Sequence, residues 1–241
     1  MCSYDTNMKL LITKNKKSGD IKAFNIIKRQ ILKKPGSLIG LAAGGTTDGL
    51  YKLISKAATK NLKIWEKLKL FQIDENLGIS PDSLLSFNFE IRKELWPLLS
   101  IVNPKNIFLV DGTKNPKITI KKAYSFIRKN KGIDLIILGI GPGHHPHIAY
   151  NTTGKSSINS RMRVVKLHPK IAKKVKTKKG ITLGIKDILE CKKVLLMAYG
   201  KEKEKSIKLA FGKKVNMKKA SASALLLHKD LTVVVDKDAA M

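Results

Sequence analysis

Residues 133–140 read IDLIILGI, a nearly unbroken apolar run that leads into the glycine-rich segment 141–143. A strand that is buried on both faces of a parallel sheet has a continuous run of this kind, whereas a half-buried strand alternates. Six further short runs occur along the chain. The predicted strands are Ser37–Ala43, Leu68–Asp74, Asn106–Val110, Ile133–Ile140, Ile181–Ile185, Val194–Tyr199 and Leu231–Asp236.

Longer stretches with apolar residues at three- and four-residue spacing lie between these strands, which is typical of amphipathic helices. The alternation predicts an α/β fold with a mostly parallel, doubly wound, Rossmann-like sheet and helices on both faces. No repeat or linker divides the chain, so residues 1–241 are predicted to form a single domain. The basic stretch Lys166–Lys179 is predicted to be a surface connection. The predicted helices are Ile21–Leu32, Asp48–Lys60, Ser83–Leu99, Ile118–Lys131 and Lys203–Phe211.

Composition excludes several classes of protein. Hydrophobic residues make up 43% of the 241 residues, which is too many for a wholly disordered basic chain. No apolar run reaches the roughly 18 residues that span a bilayer, and the N-terminus lacks the apolar segment of a secretory signal, so no membrane partner is expected. Cys2 and Cys191 are the only cysteines, which favours the reducing cytoplasm.

The net charge of +30 raises the question of a nucleic-acid partner. Of the 48 basic residues only 5 are arginine, the side chain whose fork reads phosphate and guanine, and lysines occur in every segment. We therefore expect no specific nucleic-acid partner. The positive field is expected to attract small anionic substrates instead.

Ligands of such sheets bind beyond the carboxyl ends of the strands, and three segments fall there. The first, GLAAGGTT at residues 40–47, runs from a strand end into a helix. Its paired glycines allow the backbone to approach an anion, and the first turn of the helix offers free N–H groups. The segment matches neither the Walker A nor the GxGxxG pattern, so a packing role for the glycines is the alternative.

The second segment, FQIDEN at residues 71–76, places two adjacent acids at the end of an apolar strand. Neighbouring residues of a strand point to opposite faces, so one of Asp74 and Glu75 can enter a site while the other supports it. A carboxylate in that position suits proton abstraction beside a carbonyl. The structural alternative is a helix cap or a loop acid.

The third segment, LGIGPGHHPHIAYN at residues 138–151, carries His144, His145 and His147 after a buried strand. Three histidines suggest a metal site, but no Cys or acidic residue lies near them in sequence. A catalytic imidazole that exchanges protons near neutral pH is favoured instead.

Five pieces of sequence, in this order, resemble the glucosamine-6-phosphate deaminase (isomerase) family, which also includes 6-phosphogluconolactonase. The resemblance covers about residues 38–240, and its fourth and last pieces look like the deaminase branch. The pieces are GLAAGGTTDGLYKLI (40–54), FQIDENLGISPDSLLSF (71–87), LGIGPGHHPHIAYN (138–151), SSINSRMRVVKL (156–167) with GITLGIKDIL (180–189), and VLLMAYGKEK (194–203) with SASALLLHKDLTVVVD (221–236).

The resemblance implies a reaction and a set of residues. Enzymes of the deaminase branch open the ring of glucosamine 6-phosphate, move a proton between C2 and C1, and release fructose 6-phosphate and ammonia. No metal or organic cofactor is implied. Asp74 would move the proton with Glu75 beside it, and His147 would open the ring. The residues implied to hold the substrate phosphate are Gly44, Gly45, Thr46 and Lys203.

The chain departs from the family pattern around the ring-opening histidine. The family glutamate that supports this histidine is replaced by Thr152, and the family Asp/Asn position falls on His145. We expect His144 and His145 to take over part of the lost role. The family arginine that grips the phosphate is also absent, and Lys173 or Lys174 could replace it as a point charge.

The expected partner is a phosphorylated amino sugar, and the expected context is amino-sugar metabolism, including N-acetylglucosamine catabolism, as a monomer or small homo-oligomer. Allosteric control is not expected, because the family's effector lysine position is Val165. The departures leave three alternatives open. They are a 6-phosphogluconolactonase-like hydrolase, an isomerase of another phosphosugar, and a phosphosugar-binding protein with impaired catalysis.

Overall fold

The computed structural model describes residues 8–212 and 214–240, so Cys2 lies outside the described residues. No helix in this part of the chain is long and apolar enough to cross a membrane. The strands are β1 (Met8–Thr13), β2 (Leu38–Leu41), β3 (Lys69–Gln72), β4 (Asp74–Asn76), β5 (Ile107–Phe108), β6 (Leu135–Gly139), β7 (Arg163–Lys166), β8 (Lys179–Thr182), β9 (Val194–Ala198) and β10 (Leu231–Asp236). The α-helices are α1 (Lys16–Lys33), α2 (Asp48–Lys60), α3 (Leu62–Trp65), α4 (Phe87–Leu99), α5 (Pro116–Lys129), α6 (Pro169–Val175), α7 (Ile185–Leu189) and α8 (Lys201–Ala210).

Seven strands form one sheet in the order β1-β10-β9-β6-β2-β3-β5, and every neighbouring pair is parallel. Successive residues of the central strands enter different cores. Ile136 packs with Phe71 on one face, under α5, α7 and α8, and Ile137 packs with Leu70 on the other, under α1, α2 and α4. The predicted α/β fold, with a mostly parallel sheet and helices on both faces, is confirmed.

A second sheet of three strands, in the order β4-β8-β7, is antiparallel. The run predicted as one strand over Leu68–Asp74 therefore divides, because β3 ends at Gln72 and Asp74 begins β4. The strand predicted over Ile181–Ile185 lies in this small sheet rather than in the parallel one. Its apolar residues belong to two elements, since Gly184 is the N-cap of α7.

The stretch Lys166–Lys179 lies largely at the surface, as predicted, but it is not an irregular connection, because it contains α6 and the ends of β7 and β8. His168 caps the N-terminus of α6 with its ring nitrogen. Leu167 and Val175, at the two ends of the helix, are buried in a small apolar cluster with Tyr150. Through this cluster α6 packs against the segment that follows β6.

The carboxyl ends of parallel strands meet at one edge of a sheet. At this edge the chain leaves β2 for α2, β3 for β4, β6 for the glycine-rich loop 140–147, and β9 for α8. The four connections bring all three predicted site segments, together with Lys203, to the same end of the molecule.

Candidate active site

A cavity of about 350 Å³ opens at this edge, between the loops that follow β2, β6 and β9. Six of the eight predicted site residues line it, and two, Glu75 and His145, do not. A larger cavity of about 550 Å³, beside Tyr124 and Arg161, contains none of the eight. The predicted residues that line the smaller cavity are Gly44, Gly45, Thr46, Asp74, His147 and Lys203.

The loop between β2 and α2 has the geometry of an anion-binding loop. Gly44 adopts a φ of +111°, which residues with a side chain rarely adopt. Its carbonyl accepts the Thr47 N–H at 3.0 Å and the Thr47 hydroxyl at 2.9 Å, which closes the turn into α2. The Gly44 N–H donates to the Glu90 carboxylate. The N–H groups of Gly45 and Thr46 make no hydrogen bond within the described residues, so they can bind an anion at the helix N-terminus.

Asp74 supplies the carboxyl group of the cavity lining and is only 5% exposed. Burial, together with the nearby carboxylates of Glu75 and Glu90, raises the pKa of Asp74 to about 8. The group is therefore mostly protonated at neutral pH in the free protein. It can act as a proton donor and, once deprotonated, as a strong carboxylate base.

Glu75 points away from the cavity and is 0% exposed. Its carboxylate is held at the N-terminus of α4, where it satisfies N–H groups that the helix itself cannot pair. Glu75 therefore caps a helix, which was the structural alternative for this pair of acids, and it supports the strand that carries Asp74. The donors to its two oxygens are Gln72 Nε2, Asn76 N, Ser86 Oγ, Phe87 N and Asn88 N.

Glu75→Gln is expected to destabilise the protein by about 2 to 4 kcal/mol, because an amide nitrogen replaces an acceptor oxygen among buried donors. Urea unfolding would measure the change, and Glu66→Gln, at an exposed position, is the matched control. An unchanged free energy of unfolding would show that Glu75 does not anchor α4.

His147 enters the cavity as a neutral imidazole. Its Nδ1 lies 2.7 Å from the His145 carbonyl oxygen, so Nδ1 carries the proton and Nε2 keeps its lone pair. Burial, together with the neighbouring His145 and Lys203, lowers the pKa of His147 to about 4. Gly141 permits this arrangement, since a Cβ there would lie 2.2 Å from the His147 ring.

The His145 ring lies behind His147 rather than in the cavity. Its centroid is 5.1 Å from the His147 ring and 5.3 Å from the His168 ring, beside Thr152. Its contribution to the site is the backbone carbonyl that fixes the His147 tautomer. Within the described ranges, no three His, Cys, Asp or Glu side chains are grouped so that they could hold a metal ion.

Two lysines reach the cavity from different helices. Lys203 of α8 donates through Nζ to the Ile140 carbonyl at 2.9 Å, and burial lowers the pKa of its ammonium group. Lys174 of α6 also lines the cavity, whereas Lys173 lines a separate surface cavity next to Pro169. Of the two lysines considered as replacements for the family arginine, the structure brings only Lys174 to the site.

Comparison with known proteins agrees with this geometry. The family model described as glucosamine-6-phosphate isomerases/6-phosphogluconolactonase matches residues 22–234. The chain belongs to this family. Glucosamine-6-phosphate deaminases of Thermoanaerobacter sp. (strain X514) and Clostridium acetobutylicum are each 32% identical to it, over 97% and 90% of this chain and 94% and 92% of their own lengths.

Solved structures show the same family fold. A monomeric glucosamine-6-phosphate deaminase superposes with a TM-score of 0.86 at 26% identity, and the match covers 96% of this chain and 98% of that one. The 6-phosphogluconolactonase of Trypanosoma brucei shares the fold, with a TM-score of 0.73 at 16% identity over 96% of this chain and 97% of that one.

Two aromatic residues that were not predicted from the sequence form one side of the cavity. Phe87 and Tyr150 line the cavity, with ring centroids 5.7 Å apart, and the Tyr150 hydroxyl donates to Asn76 Oδ1 at 2.7 Å. Both residues lie inside the quoted family pieces, Tyr150 three residues after His147. Their position in those pieces was the available signal.

Proposed function

We propose that this chain is a glucosamine-6-phosphate deaminase, which converts glucosamine 6-phosphate and water into fructose 6-phosphate and ammonia. One observation carries the proposal. A buried carboxyl group with a raised pKa, Asp74, and a neutral imidazole, His147, share one cavity with a loop of free N–H groups and a lysine. Acid–base groups and an anion site are the two requirements of proton transfer in a phosphosugar.

The phosphate is assigned to the loop that precedes α2. The free N–H groups of Gly45 and Thr46 and the N-terminal end of the helix dipole favour an anion there. Lys203, whose ammonium group is half-buried at the Ile140 carbonyl, adds a positive charge from α8. Lys174 supplies a second cation from α6.

The chemistry is assigned to the two acid–base groups of the cavity, Asp74 and His147. His147 Nε2, whose lone pair is free, takes the proton from the C1 hydroxyl as the ring opens and returns it to the ring oxygen. Asp74 then removes the C2 proton while the C1 carbonyl oxygen gains the proton that the substrate ammonium group loses, which gives an enolamine, and Asp74 returns its proton to C1. The resulting C2 imine adds water and releases ammonia, which leaves the ketone of fructose 6-phosphate.

The test is an assay of purified protein with glucosamine 6-phosphate that measures ammonia and fructose 6-phosphate in the same sample. We expect equal amounts of both products. Hydrolysis of 6-phosphogluconolactone without ammonia release would assign the chain to the lactonase branch. Binding without turnover, detected by calorimetry, would assign it as a phosphosugar-binding protein, and either result would overturn the proposal.

The dependence of the reaction rate on pH follows from the raised pKa of Asp74. Asp74 must be ionised to remove the C2 proton, and its pKa is about 8, so kcat should rise with pH below about pH 8 and level off above it. The measurement is made at saturating substrate at every pH, so that a change of affinity with pH does not enter. A profile that is flat from about pH 6 to about pH 9 would exclude Asp74 as the base.

The wider setting belongs to the same proposal. We infer that residues 1–241 act as one domain, as a monomer or small homo-oligomer, in the cytoplasm. The context is breakdown of amino sugars, including N-acetylglucosamine. A monomeric member of the deaminase branch is among the solved structures that this chain resembles, which supports activity without a partner subunit.

A further inference from the structure

Glu90 has a position in the site that the proposed reaction does not use. It is half-buried on α4, and its carboxylate accepts the Gly44 N–H without lining the cavity itself. Gly44 itself lines the cavity. A carboxylate and the proposed phosphate site therefore share one short loop.

The surroundings of Glu90 are mostly acidic. Burial and the neighbouring acids raise the pKa of the Glu90 carboxyl group, while the Gly44 N–H and one lysine oppose the shift. The carboxylate is therefore closer to taking up a proton than an ordinary surface glutamate. The groups that face it are Asp48 and Tyr51 of α2, Asp74 of β4, Glu94 of α4, Tyr150 after the glycine-rich loop and Lys174 of α6.

A phosphate at the Gly45 and Thr46 N–H groups brings a second anion to this loop. Because Glu90 binds the N–H of Gly44 and the phosphate would bind those of the next two residues, the two like charges would lie close enough to repel each other at the effective dielectric of a protein surface. The repulsion can be relieved without loss of the loop geometry, because a protonated carboxyl group still accepts the Gly44 N–H through its carbonyl oxygen.

We propose that Glu90 is a positioning residue that couples phosphate binding to the uptake of one proton from solvent. One oxygen holds the Gly44 N–H and the shape of the loop, and the other takes the proton when the phosphate dianion binds. The inference rests on the proposed function, which assigns the substrate phosphate to this loop. Because binding takes up a proton, the affinity for the phosphate group falls as the pH rises.

The test is a calorimetric titration with inorganic sulfate, which stays a dianion between about pH 6 and about pH 8 and so adds no titration of its own. Two buffers with different ionisation enthalpies give the number of protons taken up per sulfate. Glu90→Gln keeps the acceptor oxygen and removes the titration, and Glu90→Ala removes both. Glu94→Gln, about one turn further along α4, is the matched control for loss of a like charge.

Wild type and Glu94→Gln should take up about half a proton more per sulfate than Glu90→Gln at about pH 7. Glu90→Gln should bind sulfate about 10-fold more tightly than wild type at about pH 8, and Glu90→Ala more weakly than Glu90→Gln. Equal proton uptake in wild type and Glu90→Gln would overturn the inference.

Two further outcomes separate this inference from the proposed function. If Glu90→Gln does not fold, sulfate affinity of the wild type is followed against pH, and an affinity that stays constant overturns the coupling. If the wild type releases no ammonia but its proton uptake on sulfate binding depends on Glu90, the coupling stands and the deaminase assignment falls. If the wild type releases ammonia but Glu90→Gln takes up as many protons per sulfate as the wild type, the deaminase assignment stands and the coupling falls.

Discussion

Asp74→Asn is expected to lower kcat for ammonia release by about 10³-fold, while binding of glucosamine 6-phosphate stays within about threefold of wild type. The amide has the shape of the carboxyl group, so the cavity and the loop at Gly44 keep their geometry. It cannot take the C2 proton, and the step that we assign to Asp74 is lost. Ammonia release gives kcat, and calorimetry gives the affinity.

The matched control is Asp230→Asn, which removes an acid just before β10, at the opposite edge of the sheet. This variant should keep the activity of the wild type. If Asp74→Asn kept more than about a tenth of the wild-type kcat, the proton would have to be moved by another group.

The same substitution should stabilise the protein at alkaline pH. Asp74 has a pKa of about 8 in the folded state against 3.8 for an ordinary aspartate, so the folded state binds the extra proton between these values. Its stabilising contribution is complete below pH 3.8 and is lost as the pH rises to about 8. Asn at this position has no proton to lose.

We therefore expect the difference in Tm between Asp74→Asn and wild type to grow with pH. It should reach a plateau above about pH 8, at a stabilisation on the order of 6 kcal/mol or roughly 12 to 24 °C. Thermal unfolding across this range measures it. A difference that does not change with pH would show that the carboxyl group titrates normally in the folded protein.

The central sheet could be predicted because its strands lie in continuous apolar runs that are buried on both faces. β10 has the predicted bounds, and β6 and β9 lie within theirs. β1 and β7 were not predicted. β1 is an edge strand whose burial follows no regular alternation, and β7 carries two cations and alternates between exposed and half-buried residues in the small antiparallel sheet.

The site could be predicted where chain order decides it. Loops after neighbouring parallel strands meet at one edge, so Gly44, Asp74 and His147 were expected near each other from the strand pattern and the family pieces alone. The alternation of a strand also predicted that Asp74 and Glu75 have different roles. Which of the two enters the cavity depends on contacts between Glu75 and the start of α4, more than ten residues later in the chain.

The histidine loop shows the same limit. The sequence does not reveal that His145 N donates to the Pro142 carbonyl at 2.7 Å, a turn that places the His147 ring in the cavity and the His145 ring behind it. α6 was missed for a related reason. It is a seven-residue, lysine-rich helix, and its place is set by contact with Tyr150 rather than by its own periodicity.

His147→Asn is expected to lower kcat for ammonia release by about 10²-fold. The amide nitrogen can still donate to the His145 carbonyl, but Nε2 and its lone pair are gone, so ring opening falls back on the rate without an imidazole. Because glucosamine 6-phosphate also opens slowly in solution, the loss should be smaller than for Asp74→Asn. Fixed-time ammonia assays with both variants show which of the two loses more kcat.

Thr152 gives a way to test how His147 works. Thr152 borders the space beside the His145 and His147 rings, at the position where the family has a glutamate. The side chain is half-buried, so a longer one can extend toward solvent. Thr152→Glu would place a carboxylate near an imidazole whose pKa is about 4, and an opposite charge raises that pKa and the basicity of Nε2. We expect kcat to rise about 10-fold.

The control is the double variant Thr152→Glu/His147→Asn. If the carboxylate acts through the imidazole, Thr152→Glu raises kcat in the wild type and has no effect in His147→Asn, so the two changes are strongly non-additive. An equal gain in both backgrounds would mean that the new carboxylate does the ring-opening chemistry itself. No gain in the wild type would mean that the His145 carbonyl, which already fixes the tautomer of His147, supplies all the support that the imidazole needs.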